Sequence, residues 1–400
     1  MLAGMVTPGV CFFYSLPRGD RFLCKPKRTN VVSNFLIIGG GVIGMMTALQ
    51  LADAGQQVTL VERGICGQES SWAGGGIVSP LYPWRYAPPI SQLSRWSEGV
   101  YPTLSLRLLE ETGIDPEYRQ KGLLYLNVDD ADTALGWARG LAKPLERVSA
   151  DFVRRKEPMV AAAQASALWM PTLGSVRNPR LGQALRARLL AMPNVVLNEG
   201  CEVNSFITHD QQVLGVATAQ GELRAEKVVV CGGAWTARLL ESLTIRLPVR
   251  PVKGQMIAYQ APPGLVQRVV LKDGRYIIPR SDGLLLVGST LEEAGFDKTT
   301  DSEALASLKQ TAESIVPALS DCPVAYHWAG LRPGSPDGIP FIGALPGWSD
   351  VYVNAGHYRN GLVLAPASTH VLVDQLLGRE PLIDPAPFQP TVDRLITDLA

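Results

Sequence analysis

An apolar run, Leu36-Ile-Ile38, ends in three glycines, Gly39, Gly41 and Gly44, spaced as G-x-G-x-x-G; small or apolar residues then continue to a cap at Gly55. A second apolar run, Val58-Thr-Leu-Val-Glu62, closes the unit on an acid. Strand, glycine turn, helix and second strand in this order predict a βαβ unit of a parallel sheet. Each glycine answers a steric demand: Gly39 the tight turn, Gly41 the approach of a pyrophosphate to the backbone, and Gly44 the closeness of helix and strand. The helix N-terminus then points free N–H groups at the phosphates. Glu62 stands where a carboxylate accepts hydrogen bonds from ribose hydroxyls, so the unit predicts a dinucleotide site.

The chain has 400 residues, 46% of them hydrophobic, which at about 150 residues per domain suits two or three domains. Lys and Arg (37) balance Asp and Glu (37) without a long run of one sign, leaving no footprint for nucleic acid or an anionic membrane. No apolar stretch approaches the ~20 residues that span a bilayer, and a soluble, cytoplasmic protein is expected. The six cysteines form no CxxC pair, and the four histidines share no ligand spacing, so reduced thiols and no metal site are expected. Residues 1–33 mix Pro, Gly, aromatics and a basic Lys25-Pro-Lys-Arg28 without period. They lack the uninterrupted apolar core of a secretory signal and read as an extension outside the fold.

Periodicity predicts helices over Ser94–Glu111, Arg180–Met192, Glu303–Val316 and Leu362–Leu377, the last stopped at Gly378. Strands are expected at Gly122–Asn127, Val195–Leu197, Val203–Thr208, Val213–Ala217, Lys227–Cys231, Pro251–Gln255, Met256–Gln260, Tyr276–Pro279, Leu284–Gly288 and Asp350–Asn354. The glycine-rich Ser70-Ser-Trp-Ala-Gly-Gly-Gly-Ile77 implies close backbone approach to something. Strand, glycine loop and helix at 350–377 repeat the N-terminal arrangement. The fold class expected is α/β: a Rossmann-like nucleotide domain from segments 34–92, 176–247 and 326–400, with an inserted α+β substrate domain from 93–175 and 248–325, built on an antiparallel-rich sheet.

Three further segments, Val228-Val-Val-Cys-Gly-Gly-Ala-Trp235, Gly330-Leu-Arg-Pro-Gly-Ser-Pro-Asp-Gly-Ile-Pro-Phe-Ile-Gly343 and Ala355-Gly-His-Tyr-Arg-Asn-Gly361, resemble in order and spacing the FAD-dependent D-amino-acid oxidase superfamily. Pro251-Val-Lys-Gly-Gln255, Tyr276-Ile-Ile-Pro-Arg280 and Trp328–Gly334 are most similar to bacterial glycine oxidases, which supply iminoglycine for the thiazole of thiamine. The resemblance spans essentially residues 34–380. It implies an FAD-binding domain and makes Tyr276, Arg332 and Arg359 the substrate-facing residues. It further implies that Glu62 and Arg63 hold the adenosine end, that Val42 and Ile43 lie in the phosphate turn, and that Val203 lends backbone near the adenine. Ser70, Ser71, Gly75, Gly76 and Ile77 would lie along the flavin, Gly233 would follow the Cys231 strand at the cofactor, and His357, Tyr358, Arg359, Asn360, Gly361 and Leu362 would close over the pyrimidine side. Ser79 and Tyr82 are larger than a glycine oxidase pocket would have, which bears on the exact substrate.

The implied reaction passes hydride from the α-carbon of glycine or a small D- or N-methyl amino acid to flavin N5. Oxygen would then take the electrons as hydrogen peroxide, and the imino acid would hydrolyse to keto acid and ammonia. Arg332 suits a two-pronged grip on the carboxylate, and Tyr276 can donate to the same group. A packing role is expected for His357 and a satisfied structural role for Lys253. Relatives that attach FAD covalently use a cysteine near the segment Trp328–Arg332; none stands there, so bound but non-covalent FAD is expected. The alternatives are a dehydrogenase of the same fold passing electrons to a quinone or partner and, more distantly, a non-catalytic flavoprotein assembly factor. Homo-oligomer formation is left open.

Overall fold

The computed structural model describes residues 33–161 and 167–396. The expected extension at 1–33 lies outside the described residues except for Ser33, which belongs to the fold. Ser33 opens the first strand, Ser33–Ile38, and its hydroxyl is hydrogen-bonded to that of Thr59 at 2.6 Å.

Continuous Val, Ile and Leu runs make strands that bury both faces, and such runs build the parallel part of one sheet. Its order is Phe341–Ala344, Val351–Ala355, Gly221–Val230, Ser33–Ile38, Val58–Glu62 and Val195–Glu199. All run parallel except Phe341–Ala344, which joins antiparallel at the edge. The run at 227–231, expected as a short strand, is the end of a strand that begins at Gly221. The early part of that strand pairs antiparallel with Gln212–Thr218, which pairs in turn with Val203–His209. Phe206, Val213 and Val216 of this layer pack on Leu36, Ile38 and Val228 across one sheet face. Helices Val42–Asp53, Pro88–Thr112, Asn178–Leu190 and Gly361–Leu377 bury Met45, Leu93, Leu185 and Leu364 with Phe35 and Ile37 on the other.

The helix Gly361–Leu377 carries Pro366, whose ring nitrogen cannot donate to the Leu362 carbonyl. Tyr101 fills that vacancy, its hydroxyl donating to Leu362 O at 2.5 Å, while Ala367 N donates to Ser97 Oγ at 3.0 Å. Two side chains of the Pro88–Thr112 helix thus fix the start of the Gly361–Leu377 helix in place.

The second sheet runs Val324–Gly334, Arg250–Gln260, Leu284–Gly288, Arg275–Pro279, Val269–Lys272, Leu123–Leu126, Ala167–Met170 and Glu146–Val148. Every pairing in it is antiparallel except that of Val269–Lys272 with Leu123–Leu126. Three of these strands, Glu146–Val148, Ala167–Met170 and Val269–Lys272, are additions to those expected, and two further expectations change. The two strands expected at 251–260 are one, Arg250–Gln260. The Gly-Leu-Arg-Pro-Gly segment, where no strand is expected, is the end of the strand Val324–Gly334. Gly330, Pro333 and Gly334 erase its local strand signal, and the long ladder with Arg250–Gln260 supplies the structure instead, with Pro333 opposite Pro251. The helices Ala131–Gly140 and Ala150–Lys156 are additions to the elements expected from periodicity. Among the described residues no helix is long and apolar enough to cross a membrane.

Candidate active site

The C-terminal ends of the parallel strands and one face of the second sheet enclose a cleft of about 1480 Å³, counting its open mouth. Gly39, Gly41, Val42, Ile43, Arg63, Ser70, Ser71, Gly75, Gly76, Ile77 and Gly233 line it from one side. Tyr276 and Arg332 come from the second sheet, and His357, Tyr358, Arg359, Asn360, Gly361 and Leu362 from the loop after Val351–Ala355. Three expected site residues lie outside the lining. Gly44 faces inward, since a Cβ there would overlap the carbonyl oxygen of Gly39. Glu62 turns back on its own turn, accepting from Gly40 N at 2.7 Å and Gly64 N at 2.9 Å. Val203 opens a strand of the antiparallel layer and packs against its core. Tyr82 also stands away from the lining: it packs beside Trp84 and Tyr125, and its hydroxyl accepts from Gly274 N at 2.9 Å. Ser79, by contrast, does reach the cleft.

Two helix N-termini converge here. In the helices Val42–Asp53 and Gly361–Leu377 the N-cap residue makes no side-chain cap and the first turn carries no acid, so no charge of the helix itself offsets its positive end. Ser71 Oγ accepts from Val42 N at 2.9 Å, which ties the glycine turn to the segment 70–77. Three asparagines add to the cleft: Asn360, expected from its motif, and Asn354 and Asn178, which no motif announces. Asn354, 1% exposed at the end of its strand, has neither Oδ1 nor Nδ2 hydrogen-bonded, and Asn178 Oδ1 and Asn360 Nδ2 are also buried without partners. All three line the cleft. A buried amide left unpaired costs roughly 1–3 kcal/mol, so such a cluster marks where a polar ligand completes the structure. For Asn354 and Asn178 only the orphaned atoms signal it; nothing in the local sequence does. Arg63 lies 3.9 Å over the Trp235 ring, giving the mouth a flat cationic wall.

Arg332 enters the cleft from the second sheet. Its Nη1 donates to Lys253 O at 3.1 Å and its Nη2 to Ser289 Oγ at 2.6 Å, both uncharged acceptors. Its guanidinium lies flat on Gly254, where any Cβ would occupy the same space. Burial, with the nearby positive charge of Arg359 added, lowers its pKa. Among the described residues no carboxylate pairs with it: Glu292, the acid nearest in its field, is held by Lys253 Nζ at 3.2 Å and by Gln255. Burial raises the Glu292 pKa, but the hydrogen bonds from Thr290, Gln255 and Lys253 outweigh it and hold the carboxyl low. Lys253 is thus a satisfied lysine. The Tyr276 hydroxyl is buried against Met256 Sδ at 3.8 Å, a weak partner that leaves it free to donate elsewhere.

His357 is 1% exposed, its Nε2 bonded to Ser368 Oγ at 3.1 Å, and burial pulls its pKa from 6.5 down to about 3. The folded protein therefore holds it neutral while the unfolded chain takes up a proton below about pH 6.5. Its contribution to stability is complete above that pH and is expected to fall by up to about 1.4 kcal/mol per pH unit on acidification toward pH 3. Denaturant midpoints measured across this window should show a shallower acid slope in His357→Gln than in the parent.

Residues 34–375 match the family described as FAD dependent oxidoreductase. The glycine oxidase of Pseudomonas aeruginosa is 52% identical over 355 residues, 89% of this chain and 98% of that protein. The glycine oxidase of Pseudomonas putida is 50% identical over 89% of this chain and 97% of that one. The crystal structure of glycine oxidase from Geobacillus kaustophilus superposes with a TM-score of 0.85 at 32% identity, covering 90% of this chain and 98% of that one. The converging helix ends, the unpaired amides of the cleft and these similarities agree: the chain belongs to the FAD dependent oxidoreductase family, and FAD is its cofactor.

Proposed function

We propose that the protein catalyses FAD-dependent oxidative deamination of glycine or a similarly small amino acid, with oxygen as electron acceptor. One observation carries the reading: a guanidinium in the cleft, desolvated and without a counter-ion among the described residues, beside a second cation and a phenol with a spare proton. A buried charge is costly unless paired, so a ligand carboxylate is the group this pocket lacks. Arg332 has five N–H donors, two of them engaged, and the rest suit a planar anion. The glycine oxidases among the relatives support the substrate class.

The glycine turn, Arg63 and the helix starts at Val42 and Gly361 would hold FAD, with Asn354, Asn178 and Asn360 completing its hydrogen bonds. Glu62 would keep a lone pair for the adenosine ribose, and Val203 would lie near the adenine. When bound, FAD supplies the acceptor for the two electrons that leave the α-carbon. Arg332 and Tyr276 fix the carboxylate, so the remaining freedom of a small substrate is rotation about the bond to its α-carbon. Among the described residues the one acid lining the cleft is Glu69, occupied by Arg63 at 3.1 Å and Lys298 at 2.9 Å, and His357 is committed to Ser368. Neither is free to take the ammonium proton, so the substrate must arrive as the neutral amine or lose its proton to water. The two-lobed division into a nucleotide domain and a substrate domain at the boundaries given above belongs to the same reading.

Oxygen uptake across glycine, sarcosine, D-alanine, D-proline and larger D-amino acids tests this. Turnover with the smallest substrates is expected. Turnover with an artificial electron acceptor but none with oxygen would replace the oxidase by a dehydrogenase of the same fold.

The cofactor is expected to be non-covalent. Cys231 is the one cysteine in the cleft lining, and burial pushes its thiol up to about 12, far from a reactive thiolate. Acid precipitation should therefore leave the yellow colour in the supernatant; colour retained in the pellet would mean a covalent link.

A further inference from the structure

The strand Arg275–Pro279 and the residue after it present Tyr276, Ile278 and Arg280 at alternate positions, the period that places side chains on one face. All three meet Gly75 of the cleft wall. A Cβ at Gly75 would stand 2.7 Å from Ile278 Cδ1 and 3.0 Å from Tyr276 Cε2, and Arg280 Nη2 donates to Gly75 O at 2.8 Å. Arg280 is 8% exposed, and this carbonyl is its one side-chain hydrogen bond among the described residues. The acids around it are taken: Asp282 pairs with Arg177 at 2.8 Å, and Glu117 with Arg177 at 3.3 Å and Arg180 at 3.2 Å. A buried cation without a carboxylate, spent on one backbone carbonyl, is an expensive way to hold a loop and an effective way to orient a peptide.

Across a trans peptide the carbonyl and the following N–H point in opposite directions. With Gly75 O held by Arg280, the Gly76 N–H is directed away from Arg280, and no group among the described residues accepts from it. The next peptide is fixed as well, Gly76 O accepting from Val176 N at 2.8 Å. Gly75 and Gly76 both line the cleft, and Arg280 does not. We propose that Arg280 is a positioning residue: it sets the direction of the Gly75–Gly76 peptide, and through it the Gly76 N–H offered to FAD as a hydrogen-bond donor. Tyr276 rests on the same glycine, so the anchor also fixes the wall against which the substrate-facing phenol packs.

The inference rests on the FAD site and reaction proposed above, and its test separates the two. Arg280→Lys keeps a cationic donor; Arg280→Met and Arg280→Gln do not. In the neutral variants the FAD absorption spectrum and midpoint potential should shift, FAD Kd should rise about tenfold, the loss of roughly one hydrogen bond to a charged group, and kcat/KM should fall at least as much. The Lys variant should recover most of each change. The spectrum, potential and Kd read the anchor even if the wild-type protein oxidises no amino acid. A folded neutral variant with wild-type spectrum, potential and Kd overturns the proposal. So does a Lys variant no better than the neutral ones, and so does failure of both neutral variants to fold, which would make Arg280 a structural residue only.

Discussion

Replacing Arg332 by alanine is expected to abolish most amino acid turnover while flavin content stays at the wild-type level. The guanidinium rests on Gly254 and is held by Lys253 O and Ser289 Oγ, so its removal disturbs no charged partner within the protein. The loss falls on the ligand, whose carboxylate would enter a desolvated pocket without its counter-charge. Breaking a buried ion pair by removing one member costs roughly 3–5 kcal/mol, which at about 1.4 kcal/mol per decade is on the order of a hundredfold to several thousandfold in kcat/KM. Arg332→Lys should restore only part of this, since an ammonium is a point charge without the two-pronged fork. A simple amine lacking the carboxylate should be affected far less. Steady-state kinetics on both substrate types decide it; wild-type kcat/KM for glycine in the Ala variant would remove Arg332 from the site.

A second large effect is expected at Gly44, and here it is the cofactor that is lost. A Cβ at this position would overlap the Gly39 carbonyl oxygen and approach Cys231 Cβ at 3.4 Å. The obstacle is backbone rather than the end of a flexible side chain, so the helix Val42–Asp53 must move off the first strand. Overpacking of this kind typically costs about 1–3 kcal/mol, occasionally more, and the displaced helix start no longer meets the phosphates. Gly44→Ala should purify with little flavin and a lowered Tm. Gly99 provides the control: it lies in the helix Pro88–Thr112, and a methyl group added there would meet nothing within 4 Å, so Gly99→Ala should leave flavin content unchanged and gain up to about 1 kcal/mol.

Gly44 and Arg332 also differ in how far they can be read from the chain alone. The role of Gly44 is local: strand, turn and helix are consecutive, and their steric demands appear in consecutive residues. Arg332 is recognisable through its surrounding motif, yet its setting carries no strand signal because its strand is held by a partner some eighty positions earlier, an interaction that leaves no period in the sequence. Gly254 shows the limit more sharply. It sits in the middle of a strand, where glycine weakens the local signal, and its reason for being there is a side chain from the neighbouring strand. Glu62 reads as a ligand for ribose; the structure shows a carboxylate that first satisfies two N–H groups of its own turn. Asn354 carries no motif at all, and only the absence of partners for both its polar atoms marks it.

The order of strands in the parallel sheet has a consequence for how the protein is made. Gly221–Val230 lies between Ser33–Ile38, which is made before it, and Val351–Ala355, which is made after it. Until residues 351–361 leave the ribosome, one edge of that strand stays open and the second helix terminus of the cleft does not exist. An open, apolar Val228–Val230 edge is a template for pairing with another nascent chain. The part of the cleft lined by Asn354 and by residues 357–363 is complete only once this strand has docked, and the same docking covers the open edge.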